Sequence, residues 1–163
     1  IIVGEGSHRP ALEALAKSLG IESLAHFAGE IQDAELARWY AAADVFALCS
    51  EERRSERFVE GFGIVFLEAS ASGLPIVATR TGGIPDAVVD GETGFLVEPG
   101  DSAAVARAIE RLLEDRELAL RMGRAGRQRV LDHFNWDNTA IAVSRELESL
   151  LPGKGQARDL PLQ

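Results

Sequence analysis

The stretch 60-EGFGIVFLEASASGLPIVATRTGG-83 holds an apolar run framed by two carboxylates, Glu60 and Glu68, then a series of small residues, then a second apolar run ending in a glycine pair. The segment after Gly61 and Gly63 contains no helix breaker until Gly73, which predicts a helix over residues 63 to 72. The run 75-PIVA-78 that follows is apolar on both faces, as a strand covered on both sides must be. A loop, a helix and a doubly buried strand in that order predict a βαβ unit of a parallel sheet.

The same alternation extends outward in both directions. Short apolar runs at 1-IIV-3, 24-LAHFA-28, 45-VFALC-49 and 95-FLV-97 read as further strands, and helical periodicity runs through residues 8 to 19, 33 to 43 and 102 to 114. Gly20 is placed to end the first helix, while Asp33 and Asp101 or Ser102 stand where N-caps belong. The expected architecture is α/β: a Rossmann-like, doubly wound parallel sheet with helices on both faces. Two extra C-terminal helices, about 116 to 133 and 137 to 151, follow with no strand between them. The chain opens at Ile1 without a methionine, inside a run that reads as a buried strand, so residues 1 to 151 are expected to form one domain truncated at its N-terminus. The segment 152-PGKGQARDLPLQ-163 lacks periodicity and reads as a flexible tail.

Charge narrows the classes of ligand. Seventeen Lys and Arg against 26 Asp and Glu give a formal charge of -9, which opposes whole-surface attraction to nucleic acid, so a phosphate ligand has to be gripped locally. Cys49 is the only cysteine, and His8, His26 and His133 are scattered, so neither a disulfide framework nor a metal-binding spacing is present. No apolar run reaches the ~20 residues of a membrane-spanning helix, and no signal-peptide pattern is seen; a cytoplasmic protein is expected.

The polar loop after 45-VFALC-49 leads to Gly61 at the carboxyl end of a strand, the position where open α/β sheets bind ligands. Gly61 and Gly63 let backbone approach a ligand, and the first helical turn has N–H groups without internal acceptors that suit a phosphate. Taken alone, the two glycines serve equally well as a tight strand-to-helix turn. The carboxylates add a distance: eight helical residues rise about 12 Å. The carboxyl pairs of glycoside hydrolases stand about 5 to 9.5 Å apart, so Glu60 and Glu68 are poorly spaced to act across one bond. They are better spaced to hold hydroxyl groups at the two ends of a long ligand, with its phosphates between them. The bland reading of Glu68 is a helix-face carboxylate paired with an arginine. A second glycine cluster, 79-TRTGGIPDAVVDGETG-94, also follows a strand; Thr81, Gly82 and Gly83 either line the same mouth, with Ile84 opening a short helix, or form a plain loop. At the first strand exit, 4-GEG-6 is only part of a dinucleotide fingerprint.

The order 60-EGFGIVFLEASASGLPIVATRTGG-83, then 94-GFLVEPGD-101, then Phe134 with Trp136, resembles the C-terminal, donor-binding half of a retaining glycosyltransferase of the GT-B fold, in the family numbered four. The resemblance covers residues 1 to 151. It implies a hexosyl transfer from a nucleotide-diphosphate sugar to a glycan or lipid acceptor, with no metal or other cofactor, and the chain has no Asp-x-Asp pair. It implies that Glu60 contacts sugar hydroxyls at the reacting centre. It further implies that the backbone of Gly61, Phe62, Gly63, Ile64 and Val65 receives the distal phosphate, and that Glu68 accepts from the ribose. Ile31 and Asp33, in 29-GEIQD-33, would border the base, and Thr81, Gly82 and Gly83 would order the sugar side. The loop 51-EERRSERFV-59 is similar to that of mannosyltransferases that build phosphatidylinositol mannosides, which makes GDP-mannose or a UDP-sugar the expected donor. In that loop Arg53, Arg54 and Arg57 either supply charge to the ligands or form a solvated run. The resemblance implies that Phe134 and Trp136 begin a last helix that crosses to the N-terminal domain, where they serve core or interdomain packing rather than chemistry.

The resemblance also implies an upstream acceptor domain that carries any membrane contact, at the inner face of the membrane, and basic phosphate ligands upstream of Ile1. Two other functions fit the same residues: a sugar-nucleotide epimerase of the same architecture and a non-catalytic sugar-nucleotide-binding module. A nicotinamide enzyme fits less well, because no complete GxGxxG with a later ribose-binding acid follows the first strand.

Overall fold

The computed structural model describes residues 1–51 and 61–150. The chain divides into two compact units, Ile1–Ala43 and Asp44–Gln163. In the first, β1 (Ile2–Val3), α1 (Arg9–Ser18), β2 (Phe27–Gly29) and α2 (Asp33–Ala41) follow one another. In the second come β3 (Phe46–Leu48), α3 (Ile64–Ala71), β4 (Ile76–Thr79), the one-turn α4 (Ile84–Ala87), β5 (Gly94–Val97), α5 (Ser102–Glu114), α6 (Arg116–His133) and α7 (Trp136–Leu150).

In the first unit β1 and β2 pair in parallel, with Ile2 opposite Phe27 and Val3 opposite Gly29. Helix α1 carries Pro10 in its first turn, where the missing N–H costs nothing, and closes with Gly20 N–H on Lys17 C=O (3.0 Å) and Ile21 N–H on Ala16 C=O (2.9 Å). Arg9 links that helix to the strands: it donates to Glu13 (2.8 Å), to Glu5 and to Phe27 C=O (3.4 Å). Glu5, the acid of 4-GEG-6, is therefore held by an arginine. The expectation of a buried first strand fails, since Ile2 and Val3 are exposed; among the described residues β1 has β2 alone as a neighbour, and one ladder covers neither face. The expected cap Asp33 is instead the first helical residue. Gln32, with extended backbone, holds the cap position, and Asp33 and Glu35 lie in the first turn, where the helix dipole favours their charge.

In the second unit the strands lie in the order β3-β4-β5, all parallel, with Phe46 opposite Ile76 and Val77 opposite Phe95. All four residues of β4 are buried, as a central strand of a two-face sheet requires. Val77 packs into a cluster with Ala108 and Leu112 of α5 and Leu118 and Met122 of α6. Their spacing along α5, with Val105 and Ile109 half-buried beside them, is the one-sided stripe of an amphipathic helix. Burying a side chain such as Leu112 or Met122 contributes about 1.5–3 kcal/mol each. Asp101 caps α5 by accepting from Ala104 N–H (2.8 Å), and Asp115 caps α6 through Leu118 N–H (2.9 Å).

Helix α3 is packed against α6 by small residues. A Cβ on Gly123 would stand 1.9 Å from Gly73 O, and one on Gly126 would stand 3.2 Å from Ser70 Oγ, so the run of alanine and serine after Glu68 makes room for a close helix. Arg127 donates to Ala71 C=O at the end of α3. Helix α7 buries none of its residues. Among the described residues five strands and seven helices follow the sequence pattern, and the strands form a parallel pair and a parallel triplet. The tail 152–163 lies outside the described residues.

Candidate functional site

Two glycine turns meet at the start of α3. Gly63 caps the helix in the left-handed region (φ 77°), and a Cβ there would sit 2.4 Å from the ring of Phe66. Phe66 is fully buried and stands edge-on to Phe46, with centroids 5.9 Å apart, so the ring has no room to yield. Only glycine satisfies both demands. Phe66 N–H then donates to Gly63 C=O (2.9 Å), and the N–H groups of Ile64 and Val65 stand ahead of it, at the end of the helix that lacks internal acceptors. The helix begins at Ile64, one residue later than the sequence pattern places it.

The second turn runs through Thr81, Gly82 and Gly83 at the exit of β4. Thr81 is buried and Gly82 exposed; Thr81 N–H donates to Thr79 C=O (3.0 Å), and Ile84 N–H to Thr81 C=O (3.1 Å). A Cβ on Gly83 would stand 1.9 Å from Gly61 O and 3.3 Å from Phe62 Cα. The two turns are thus in backbone contact, and glycine at 83 is what permits it.

On α3, Ile64 and Glu68 are four residues apart and share a face, opposite to the buried Phe66, Ala69 and Ser70. Ile64 is 68% exposed and Glu68 half-buried, and Ser72 Oγ donates to Glu68 C=O (3.1 Å). This is the side of the helix open to a ligand.

Beyond the carboxyl ends of β3, β4 and β5 lie two open clefts of about 270 and 520 Å³. The smaller is lined by Cys49, Thr79, Asp101 and Ser102, the larger by Arg80, Thr81, Glu98 and Pro99, and Glu51 and Gly100 belong to both. Arg80 is gripped by Asp90 (2.6 Å) and lies 3.6 Å from Glu98. The second oxygen of Asp90 accepts from Leu96 N–H (2.9 Å), so the pair is anchored to β5. Thr79 Oγ1 donates to Ser50 C=O (2.6 Å) and ties the exit of β4 to that of β3. Partial desolvation pushes the thiol of the exposed Cys49 up from its ordinary value.

The structure therefore brings Gly61, Phe62, Gly63, Ile64 and Val65 together with Thr81, Gly82 and Gly83, and puts Glu68 one turn along the same helix. Ile31, half-buried, and Asp33, exposed, belong to the first unit, in the β2–α2 loop and at the start of α2. Glu60, and the arginines Arg53, Arg54 and Arg57, lie outside the described residues. The sequence pattern had not singled out Arg80 and Glu98. Their signal is positional, since each directly follows a strand, at the edge where such sheets bind ligands. Phe134 and Trp136 divide in role. Phe134 closes α6 rather than opening the last helix and packs on Phe62, with centroids 5.6 Å apart, whereas Trp136 opens α7 and is 88% exposed within these residues. Among the described residues no group of three His, Cys, Asp or Glu is placed to hold a metal ion, and no helix is long and apolar enough to cross a membrane.

This arrangement has counterparts. The chain is 41% identical over 157 residues to the GDP-mannose-dependent alpha-(1-6)-phosphatidylinositol monomannoside mannosyltransferase of Mycolicibacterium smegmatis, covering 96% of this chain and 40% of that one. It superimposes with a TM-score of 0.75 on the sucrose-phosphate synthase of Thermosynechococcus elongatus, at 35% identity over 89% of this chain and 35% of the other. A TM-score of 0.76 relates it to Anabaena HepE in complex with UDP-glucose, at 28% identity over 91% of this chain and 40% of the other. The chain thus spans about 40% of the length of the curated relative it matches. The sequence profile of the group described as glycosyl transferases group 1 matches residues 1–129, which include both glycine turns, all of α3 and the whole cleft edge: the chain belongs to that family.

Proposed function

We propose that this chain is the donor-binding part of a retaining hexosyltransferase that takes a nucleotide-diphosphate sugar, GDP-mannose or a UDP-sugar, and passes the sugar to a glycan or lipid acceptor. The observation that carries the reading is the contact between the Gly61–Gly63 and Thr81–Gly83 turns at the N-terminus of α3, with Glu68 on the next turn. Backbone N–H groups and the positive end of the helix converge there, as a diphosphate requires.

In this reading the N–H groups of Phe62, Gly63, Ile64 and Val65 receive the distal phosphate, and the Thr81–Gly83 turn borders the sugar. Glu68 accepts from the ribose hydroxyls, Glu60 holds sugar hydroxyls, and Ile31 and Asp33 border the base. Breaking the bond between the anomeric carbon and the diphosphate builds negative charge on phosphate oxygens. Fixed N–H donors stabilise that charge more in the transition state than in the ground state. The departing phosphate is then the base that assists attack on the same face, which gives retention without a protein nucleophile or a metal. The named activity of the mycobacterial relative favours GDP-mannose and a phosphatidylinositol mannoside acceptor. A lipid acceptor would set the reaction at the cytoplasmic face of the membrane, with an upstream acceptor domain making the contact.

Calorimetric titration of the chain with GDP-mannose, UDP-glucose and ADP-glucose, with and without EDTA, tests this. One of the three should bind equally well with the chelator. Glu68→Ala should weaken that binding about ten- to hundredfold, the loss of charge-assisted hydrogen bonds worth ~1.5–3 kcal/mol. Binding unchanged in Glu68→Ala would remove its ribose role, and no binding of any of the three would remove the reading as a whole.

A further inference from the structure

We infer that Arg129 is a positioning residue that locks the two glycine turns against each other, through Phe134 on one side and α4 on the other. Its role as an aid to donor binding rests on the function proposed above; its role as a clamp rests on the structure alone.

The geometry is a closed loop of contacts. Arg129 projects from the last turns of α6. One guanidinium nitrogen donates to Asp86 C=O (2.9 Å) and another to Ala87 C=O (3.2 Å), the terminal carbonyls of α4, which lack helical donors of their own. The same guanidinium lies over the ring of Phe134, 4.7 Å from its centroid. That ring packs on Phe62 at 5.6 Å. Phe62 lies inside the first glycine turn, and Gly83, directly before α4, touches Gly61 and Phe62 through backbone. One side chain therefore fixes both ends of the contact: it holds α4, and with it Gly83, from below, and it holds Phe62 through Phe134 from the side.

The chemistry of the residue suits the task. A planar guanidinium can donate in its plane and stack on an aromatic face at the same time, which an ammonium cannot do. Neither partner carbonyl carries a formal charge, so the clamp does not depend on a carboxylate. Among the described residues, Arg116, Arg121 and Arg124, exposed on the same helix, make no such contacts, which separates Arg129 from the general basic character of α6.

The test uses chain labelled with 15N-glycine. In Arg129→Ala the amide signals of Gly61, Gly63, Gly82 and Gly83 should shift or broaden, while those of Gly20 and Gly29 in the first unit stay in place. Phe134→Leu should move the same set of signals, whereas Phe134→Tyr, which keeps the ring, should restore the wild-type spectrum. Arg129→Lys should not restore it. GDP-mannose binding, where the wild type shows it, should weaken roughly tenfold in Arg129→Ala. A folded Arg129→Ala protein with unmoved glycine signals at 61, 63 and 83 overturns the inference. Signals that move in a protein that binds no nucleotide sugar in any form would leave the clamp standing and defeat only the donor reading.

Discussion

At the scale of the residue, the two glycines at 63 and 83 do different work. Gly63 answers to a dihedral angle and to the Phe66 ring, so it is a requirement of the strand-to-helix turn. Gly83 has no such dihedral demand; its φ is −87° and the space beside it is filled by Gly61 O. Gly83→Ala should therefore force the turns apart with little intrinsic backbone strain. We expect a loss of ~1–3 kcal/mol in urea denaturation, as for overpacked sites, together with weakened nucleotide-sugar binding. An alanine variant that matches the wild type in both would show that the contact is not needed. Both turns are legible in sequence, because glycine pairs after apolar runs mark places where backbone must bend or approach closely. Arg129 is not legible at all. It stands in an arginine-rich helical stretch, and nothing in its neighbours along the chain tells it apart from Arg124 or Arg127.

At the scale of the element, caps and small-residue faces decide how the helices are delivered to the site. Helix α5 begins at Asp101, whose carboxylate satisfies Ala104 N–H, and Asp101 also lines the smaller cleft. Asp101→Ala should cost about 1 kcal/mol of stability through the lost cap, visible as a lowered melting temperature, while Asp101→Asn should cost less. Equal melting temperatures for Asp101→Ala and the wild type would mean that the cap is replaced by solvent. Helix α3 is read correctly from its pattern to within a residue at its start, and its end at Gly73 is closed by Gly73 N–H on Ser70 C=O (2.8 Å) and Leu74 N–H on Ala69 C=O (3.1 Å). The sequence pattern does not reveal that α6 is its partner. That choice depends on Gly123 and Gly126 meeting Gly73 and Ser70, a match of two surfaces that no single-helix periodicity contains. The one-turn α4 opens at Ile84, where the sequence places a short helix, and it ends after four residues at Ala87.

At the scale of the whole molecule, the chain belongs to a glycosyltransferase family and spans about 40% of the mannosyltransferase it resembles by 41% identity. The fold positions the N-terminus of α3 at the carboxyl edge of a parallel triplet, while the rest of the relative's length has no counterpart in these residues. We therefore expect the 163-residue chain by itself to bind donor without transferring sugar. Incubation with radiolabelled GDP-mannose and a phosphatidylinositol mannoside acceptor should give no labelled lipid, and measurable turnover would refute this. The amino-acid sequence alone determined the α/β class, the order of strands and most of the helices, the two glycine turns, and the family, because hydrophobic period, glycine placement and short motifs are local properties of a chain. The tertiary structure alone decided that Gly83 lies on Gly61, that Phe134 packs on Phe62, that Ile2 and Val3 stay exposed, and that Arg129 reaches both Phe134 and the end of α4. Those facts are contacts between residues distant in sequence, and they come into being only when β4 is laid beside β3 and α6 is packed onto α3.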